Sequence, residues 1–435
     1  MAVKNNTYAR PVYLVDGSRT PFLKARGKPG PFKHAELGVF ASRSLLQRMP
    51  FSPEEFDEVI MGSTMPGPDE ANIARVVALR LGCGDKVPAY TVHRNCASGM
   101  QALDSAAMSI ASGRSDLILA GGIEAMSHAP LLLHPKMVRW LASWWEAKTV
   151  PAKLKSLRAF NPGYLSPVFA LLKGLTDPVV GMNMGQTAEQ IAHRFGLTRL
   201  QIDAFAMNSH LKLHHAQQNN DLSEIEPIFD AMGNVFAADD GVRTDSTKAK
   251  LAKLCPAFDK PFGLVTPGNS AQISDGAAVL VVASEQAIKQ YDLPILAKLV
   301  STEWAALTPA EMGLGPVHAI VPLLKSQRLK IDAIDYWEIH EAFAAQVLAV
   351  QAALNDDSYC KEYLALKSAF GNIPIERLNI HGGGVSLGHP VGASGARIVL
   401  HMAKILESKK ARRGVASLCI GGGQGGAMLI EREYR

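Results

Sequence analysis

Cysteine is scarce and scattered: five residues in 435, at 83, 96, 255, 360 and 419. An odd number at such spacings builds neither a disulfide framework nor a CxxC zinc site. A reducing cytosol is the expected compartment. Long apolar runs are missing too; none approaches the roughly 20 residues of a membrane span. The opening Met-Ala-Val-Lys-Asn-Asn lacks the apolar core of a secretory leader, so none is expected. Glycine, at 37 residues, is too sparse for a collagen-like or low-complexity chain. Hydrophobic residues make up 47% and charged residues 20%, which excludes global disorder and leaves material for a large core. An excess of one charge sign is also small, at +5. Its location matters more than its size. Between His134 and Gly174 stand seven basic side chains and a single acid, Glu146, so this one segment carries the whole excess. A nucleic-acid binder spreads its basic residues over a face, and no nucleic-acid partner is expected here.

What is present alternates strand-like and helix-like runs, which argues an α/β chain of more than one unit. Pro11–Val15 reads as a strand, ended by the turn signal Asp-Gly-Ser-Arg-Thr-Pro at 16–21. The run Thr91–Met100 reads as a strand that hands over to a helix near Ser98, with Met100, Leu103, Ala107 and Ile110 on one face and Gly113 closing it. Asp116–Ala120 is then a fully apolar strand, as in a sheet covered on both faces, running into Gly121-Gly122-Ile-Glu-Ala-Met126. Tyr336–Ile339 is a strand, followed by His340-Glu-Ala-Phe343 and a helix with Phe343, Val347, Val350 and Leu354 on one face. His381–Arg397 is glycine-rich, holds Gly388-His389-Pro390, and opens a helix; an apolar strand then ends at Cys419-Ile-Gly-Gly-Gly-Gln-Gly425. Ala97-Ser98-Gly99 and Ala393-Ser394-Gly395 both open helices that lead to a strand ending in Gly-Gly, a hint of duplication.

Four positions invite chemistry. Cys96 lies at a strand-to-helix junction, where unpaired N–H groups and the positive helix end lower a thiol's pKa and suit a nucleophile. Read alone, a single cysteine is more often packing. Cys419 meets a glycine run that lets backbone N–H groups approach a ligand, although a tight turn explains the glycines as well. His389 is fixed between Gly388 and Pro390. His340 follows a buried strand, at the end where α/β proteins place functional groups. Two tempting patterns fail. Gly421-x-Gly423-x-x-Gly426 spells a dinucleotide fingerprint, but strand-like Ala-Met-Leu-Ile follows and no βαβ unit fits in the remainder. Gly384-x-Ser386-x-Gly388 spells a hydrolase elbow, but no acid followed by a histidine comes after it.

Together the pieces resemble the thiolases along essentially the whole chain: Asn95-Cys96-Ala-Ser-Gly99, Gly121-Gly-Ile-Glu-Ala-Met-Ser127, His340-Glu-Ala-Phe343, Gly388-His-Pro390 and Cys419-Ile-Gly-Gly-Gly-Gln-Gly425, in the family's order. The resemblance implies a duplicated α/β unit forming a five-layered αβαβα core with an inserted loop domain. It divides the chain into an N-terminal half (1–127 and 268–287), a loop domain (128–267, with the basic insert 134–174) and a C-terminal half (288–435). It further implies thiolytic cleavage of 3-ketoacyl-CoA to acetyl-CoA and a shortened acyl-CoA. Cys96 would be the nucleophile, His389 its base, and Cys419 the acid/base for the carbanion and for CoA. The N–H groups of Cys96 and Gly421 would form one oxyanion hole, His389 with His340 a second, and Ser270 would lie by the pantetheine. A Cys419 pKa near 8.5 would match that of CoA's own thiol. CoA is then a substrate, and neither a metal nor a resident cofactor is called for. Most thiolases have Asn at the place of His340. The histidine and the long insert resemble the branch that supplies the thiolase subunit of a β-oxidation complex, which implies a homodimer or dimer of dimers, a hydratase/dehydrogenase partner and peripheral membrane contact through 134–174. Condensation of two acetyl-CoA molecules is the alternative direction. A decarboxylating ketoacyl synthase has no need of Cys419, and a non-catalytic acyl-CoA carrier has no need of Cys96, His389 and Cys419 together.

The insert holds three of the five tryptophans (140, 144 and 145), and Val138, Leu141 and Trp145 fall at helical spacing among basic neighbours. Such a helix can lie on an anionic membrane or dock a partner; the competing reading packs these aromatics over an acyl tunnel.

Overall fold

The computed structural model describes residues 7–432. Apolar strands with no polar face must be covered on both sides, and that requirement organises the fold. The main strands are β1 (Thr7–Arg19), β2 (Glu58–Gly62), β3 (Ala89–Val92), β4 (Leu117–Ala125), β5 (Ser274–Ser284), β6 (Ala297–Ala306), β7 (Tyr336–Ile339), β8 (Arg413–Ile420) and β9 (Gln424–Glu431). They form one continuous sheet in the order β7-β8-β9-β6-β1-β5-β4-β2-β3, with the short strand Leu23–Lys24 also paired to β5. The order contains the duplication. β1-β5-β4-β2 and β6-β9-β8-β7 each run antiparallel, antiparallel, parallel, and β1 pairs antiparallel with β6 to join the two sets.

The helices that matter are α1 (His34–Gln47), α2 (Ile73–Arg80), α3 (Ser98–Ala111), α4 (Met184–Arg194), α5 (Arg199–Gln218), α6 (Gly315–Ser326), α7 (Ala344–Leu354) and α8 (Val391–Ser408). Three apolar clusters separate the layers. In the central one, Met100 and Leu103 of α3 and Ile398 and Met402 of α8 pack with Ile118 of β4 and Leu418 of β8. On the outer side of the first half, Leu37 and Leu45 of α1 and Val77 of α2 meet Leu119 and Val281. On the outer side of the second, Val317 and Ile320 of α6 and Val347 and Val350 of α7 meet Val415 and Leu429. Alternate residues of β4 thus serve two cores, the period-2 arrangement of a strand buried on both faces. The result is the αβαβα stack with α3 and α8 side by side in its middle.

Glycine permits that central approach. A Cβ on Gly122 would stand 2.1 Å from the Gly392 carbonyl oxygen and 2.9 Å from Gly99 Cα, and one on Gly395 would stand 2.6 Å from the Met100 nitrogen. The Gly-Gly and Ala-Ser-Gly motifs are therefore packing devices. They bring the N-terminal ends of α3 and α8 together, and Cys96 and His389 lie just before those ends.

One local expectation gives way. The 16–21 segment reads as a turn, yet β1 runs on to Arg19 through an irregularity between Leu14 and Asp16. Tertiary partners override the local signal. Asp16 pairs with Arg48 at 3.0 Å and with Lys404 at 2.9 Å. Gly17 is pressed against Leu400 and Val279, and buried Arg19 forks onto Asp239 at 2.7 and 2.8 Å.

The chain divides into two compact units, Ala129–Thr176 and the remainder. Within the 128–267 stretch, α4 and α5 thus belong to the unit that holds the sheet. Ala129–Thr176 has a helix at Pro135–Glu146, a second at Val150–Arg158, and a short antiparallel pair of Leu131–Leu132 with Val168–Phe169. Trp140 stacks on Trp144 (5.9 Å), meets Phe160 edge-on (4.9 Å) and donates its indole N–H to the Ser156 carbonyl (2.9 Å). Trp145, at 81% exposure, points away from that cluster, as do Val138, Val150, Leu154 and Leu157, all exposed. Among the described residues no helix is long and apolar enough to cross a membrane.

Candidate active site

Four segments far apart in sequence supply the candidate residues: the turn before α3, the end of β7, the loop before α8, and the end of β8. The turn before α3 is sharp. Asn95 adopts a left-handed φ of 44°, Ala97 N–H bonds back to the Arg94 carbonyl at 2.9 Å, and the Ser98 hydroxyl donates to the Asn95 carbonyl at 2.8 Å. Asn95 also donates its side-chain amide to the Gly421 carbonyl at 2.8 Å. That bond fastens the Cys96 turn to the glycine run after β8 and turns the peptide so that N–H groups face the sulfur.

Burial pushes the Cys96 thiol above its ordinary range; the N–H groups of Gly421 and of Cys96 itself pull it down, and the Glu124 carboxylate adds to the rise. The helix-end argument made from sequence expects a lowered pKa. Desolvation outweighs it here, so Cys96 rests as a thiol and needs a base. These two N–H groups, the pair expected to hold an oxyanion, are the ones that favour a charge on the Cys96 sulfur.

His389 has the properties of that base. Burial first, then the Arg397 guanidinium, lowers its pKa to about 4, with Glu124 opposing. It is neutral at neutral pH, with a lone pair available. His340 lies beside it, ring centroids 4.1 Å apart. Burial, His389 and Arg397 together hold His340 well below the ordinary histidine range. His340 is fully buried and neither of its ring nitrogens has a partner. Buried polar atoms are nearly always satisfied, so an unpartnered imidazole against a second histidine marks a place for a ligand oxygen. Its wall is backbone: a Cβ on Gly384 would stand 2.7 Å from His340 Cε1.

Cys419 is buried among Met312, Ala342, Phe343 and Val385. Burial raises its pKa, and a thiolate on Cys96 would raise it further. The Asn95–Gly421 bond brings the turn with Cys96 against the end of the strand that carries Cys419. The match to a free CoA thiol's pKa expected from sequence does not hold; Cys419 rests as a protonated acid. Ser270 lies against the His340 segment, bridged to Phe343 with Ala271 N–H on the Ala342 carbonyl at 2.9 Å. Its hydroxyl proton goes to the Thr266 carbonyl (2.8 Å), which leaves lone pairs on Oγ.

Three supporting groups carried no role in the sequence reading. Glu124, fully buried, accepts from Thr64 N–H (3.0 Å), Met65 N–H (3.1 Å) and Gly392 N–H (2.9 Å), and from the Thr64 hydroxyl. Burial alone would raise its pKa, but His34 and these donors lower it, so it stays ionised beside Cys96 and His389. Arg397 pairs with Glu338 at 2.9 Å, both buried. Glu341 anchors Ser209 (2.6 Å) and Asn379 (2.8 Å) behind the glycine wall. A charged residue inside an otherwise apolar motif, as in Gly-Gly-Ile-Glu-Ala, was the available signal.

Comparison with known proteins accounts for the whole chain. The thiolase N-terminal domain matches residues 12–286 and the thiolase C-terminal domain residues 293–432. The chain is 35% identical to the mitochondrial trifunctional enzyme subunit beta of Bos taurus, covering 97% of this chain and 88% of that one. It is 35% identical to a probable acetyl-CoA acyltransferase of Staphylococcus aureus, covering 97% and 99%. Among solved structures, the human mitochondrial 3-ketoacyl-CoA thiolase in complex with CoA superposes with a TM-score of 0.84 at 32% identity, covering 98% of this chain and 99% of that one.

Proposed function

The chain belongs to the thiolase family of acyltransferases, and from that premise we propose that it cleaves 3-ketoacyl-CoA with CoA, giving acetyl-CoA and an acyl-CoA two carbons shorter, as a step of fatty-acid β-oxidation. The observation that carries this reading is that the His340 and His389 rings lie 4.1 Å apart, while the turn with Cys96 is bonded to the run that follows Cys419 and α3 packs closely on the start of α8. A condensing synthase that decarboxylates needs only one of the thiols.

His389 takes the Cys96 proton, and the sulfur bonds to the C3 carbonyl carbon. The carbonyl π pair moves onto oxygen, where the N–H groups of Cys96 and Gly421 stabilise it. Collapse breaks the C2–C3 bond and leaves its electron pair as the enolate of acetyl-CoA. His340 and His389 stabilise the enolate oxygen, and Cys419 delivers its proton to C2. Cys419, now a thiolate, takes the proton of the incoming CoA. The CoA sulfur displaces Cys96 from the acyl group, and Cys96 recovers its proton from His389. Ser270 would accept from the pantetheine through the lone pairs its bond to Thr266 leaves on Oγ. CoA is a substrate throughout, and the scheme calls for no resident cofactor. Steady-state thiolysis of a ketoacyl-CoA length series tests the proposal; condensation of acetyl-CoA with no thiolysis at any length would replace it with the biosynthetic reading.

His340 separates two versions of the enolate site. His340→Asn is expected to retain part of the activity, since an amide still offers a donor. His340→Ala is expected to lose a donor worth about 3–4 kcal/mol in the transition state. Equal kcat/KM for wild type, Asn and Ala would remove His340 from the reaction.

Five unpaired thiols support a reducing compartment, and we place the enzyme in the cytoplasm. The kinship with a trifunctional enzyme subunit supports an oligomer that assembles with a hydratase/dehydrogenase partner. The exposed apolar side chains and seven cations of the 129–176 unit support a contact with that partner or an anionic membrane surface. Deleting 136–172 is expected to spare thiolysis of a short substrate and to abolish co-purification of the partner or vesicle binding. Vesicle binding by the full chain is expected to weaken with salt, since charges are screened over about 8 Å at physiological ionic strength. Loss of short-chain catalysis with both kinds of binding intact would assign the segment to the active-site wall.

A further inference from the structure

To take the Cys96 proton, His389 needs a free lone pair on one ring nitrogen, and an imidazole has two tautomers to choose between. The first turn of α8 makes that choice. His389 Nδ1 lies 2.7 Å from the Ser394 hydroxyl oxygen, and the same oxygen lies 3.0 Å from the Pro390 carbonyl oxygen. Ser394 is fully buried. A hydroxyl has one proton and a carbonyl has none. If both contacts are hydrogen bonds, the serine proton must point to Pro390, and the proton between serine and histidine must sit on Nδ1. Nε2 is then left unprotonated.

We propose that Ser394 is a positioning residue that fixes His389 as the Nδ1–H tautomer, through the relay Nδ1–H to Ser394 Oγ–H to the Pro390 carbonyl. It does for this site what a carboxylate does in a Ser-His-Asp triad, but with a neutral group. The difference has a consequence. A carboxylate would stabilise the imidazolium and raise its pKa, whereas a hydroxyl leaves the ring neutral at rest. The base accepts the Cys96 proton only as the sulfur attacks and returns it afterwards. The relay also locks the ring plane, because the histidine and the proline lead directly into the first turn of α8, which holds the serine and is anchored at Gly392 N–H by Glu124 (2.9 Å). The spacing is local, His-Pro-x-x-x-Ser, so the device can be read from sequence once its geometry is known.

The inference rests on the thiolase reading for what the base is used for, but its first test does not. Histidine-selective 15N labelling of the full-length protein, with His389 assigned by the signal missing in His389→Ala, reports the tautomer directly. The expected result is Nδ1–H with an unprotonated Nε2; Nε2–H in the wild type would overturn the proposal whatever the activity. Ser394→Ala is expected to mix the tautomers and to lower kcat at least tenfold, less than the roughly 100- to 10,000-fold that a whole general base contributes, with KM little changed. Ser394→Thr keeps the hydroxyl and is expected to restore both the spectrum and kcat. A Ser394→Ala protein with wild-type tautomer and kcat, or a loss that threonine does not rescue, would reduce Ser394 to packing. Should Ser394→Ala not fold, the wild-type spectrum still decides. Absence of thiolysis in the wild type alongside an Nδ1–H spectrum would sink the activity and spare the tautomer assignment.

Discussion

Cys96→Ala is expected to abolish acyl transfer, a loss on the order of 10,000-fold or more, since removing a nucleophile typically takes away nearly all of the chemistry at once. The fold should survive. Cys96 only borders the central cluster, and losing one sulfur there costs about 1 kcal/mol. The direct measurement is mass spectrometry on wild-type enzyme quenched early in turnover, with the acyl group expected on the peptide that holds Cys96. An acyl group on Cys419 would reverse the assignment of the two thiols. The structure gives a reason to expect Cys96. The N–H groups of Gly421 and Cys96 favour a charge on its sulfur, whereas Cys419 is enclosed by apolar side chains.

The second large effect is a separation of half-reactions. Cys419→Ala is expected to leave acylation of Cys96 by a simple acyl-CoA measurable, because the base and the first oxyanion hole are intact. It should slow exchange of the acetyl-CoA α-protons with solvent by about 100- to 10,000-fold, the range for losing a general acid/base. Deuterium uptake into acetyl-CoA, followed by NMR, reads this without any condensation. Exchange at the wild-type rate in the variant would take Cys419 out of the proton transfer. His389→Ala should behave differently and lose both half-reactions, which distinguishes the base that opens the cycle from the acid that closes its first half.

How much of this was legible in the sequence depends on whether the deciding interaction is local. The helix opening at Ser98 and the strand Tyr336–Ile339 follow from apolar periodicity and breakers, and α3 and β7 begin where those signals put them; α8 begins at Val391, two residues before the Ala393-Ser394-Gly395 signal for its opening. The order of motifs carried the thiolase fold. What could not be read is set by groups distant in sequence. The 16–21 segment looks like a turn because its polar residues have no local use; their partners are Arg48, Asp239 and Lys404. The helix end that favours a lowered Cys96 pKa is visible in sequence, and the desolvation that reverses the sign is not. Glu124 shows no role within its own motif, since its donors come from residues 64, 65 and 392. Ser394 is the reverse case: its partner is five residues away, but only atomic distances reveal where the proton goes.

The place of β1 in the sheet carries a consequence for how the chain is made. The first strand to leave the ribosome ends up in the centre of the sheet, between β5 and β6. More than half the chain must be synthesised before either neighbour exists. Strand β4 waits for β5 as well, so the early product of translation leaves three strand edges unpaired, both of β1 and one of β4. Long-range closure of this kind slows folding, and unpaired strand edges in the meantime invite association between chains. The β5–β6 segment is thus the step on which cotranslational folding turns. A chain stalled before residue 274 holds β2, β3, β4 and the turn with Cys96, but not β5, with which both β1 and β4 pair.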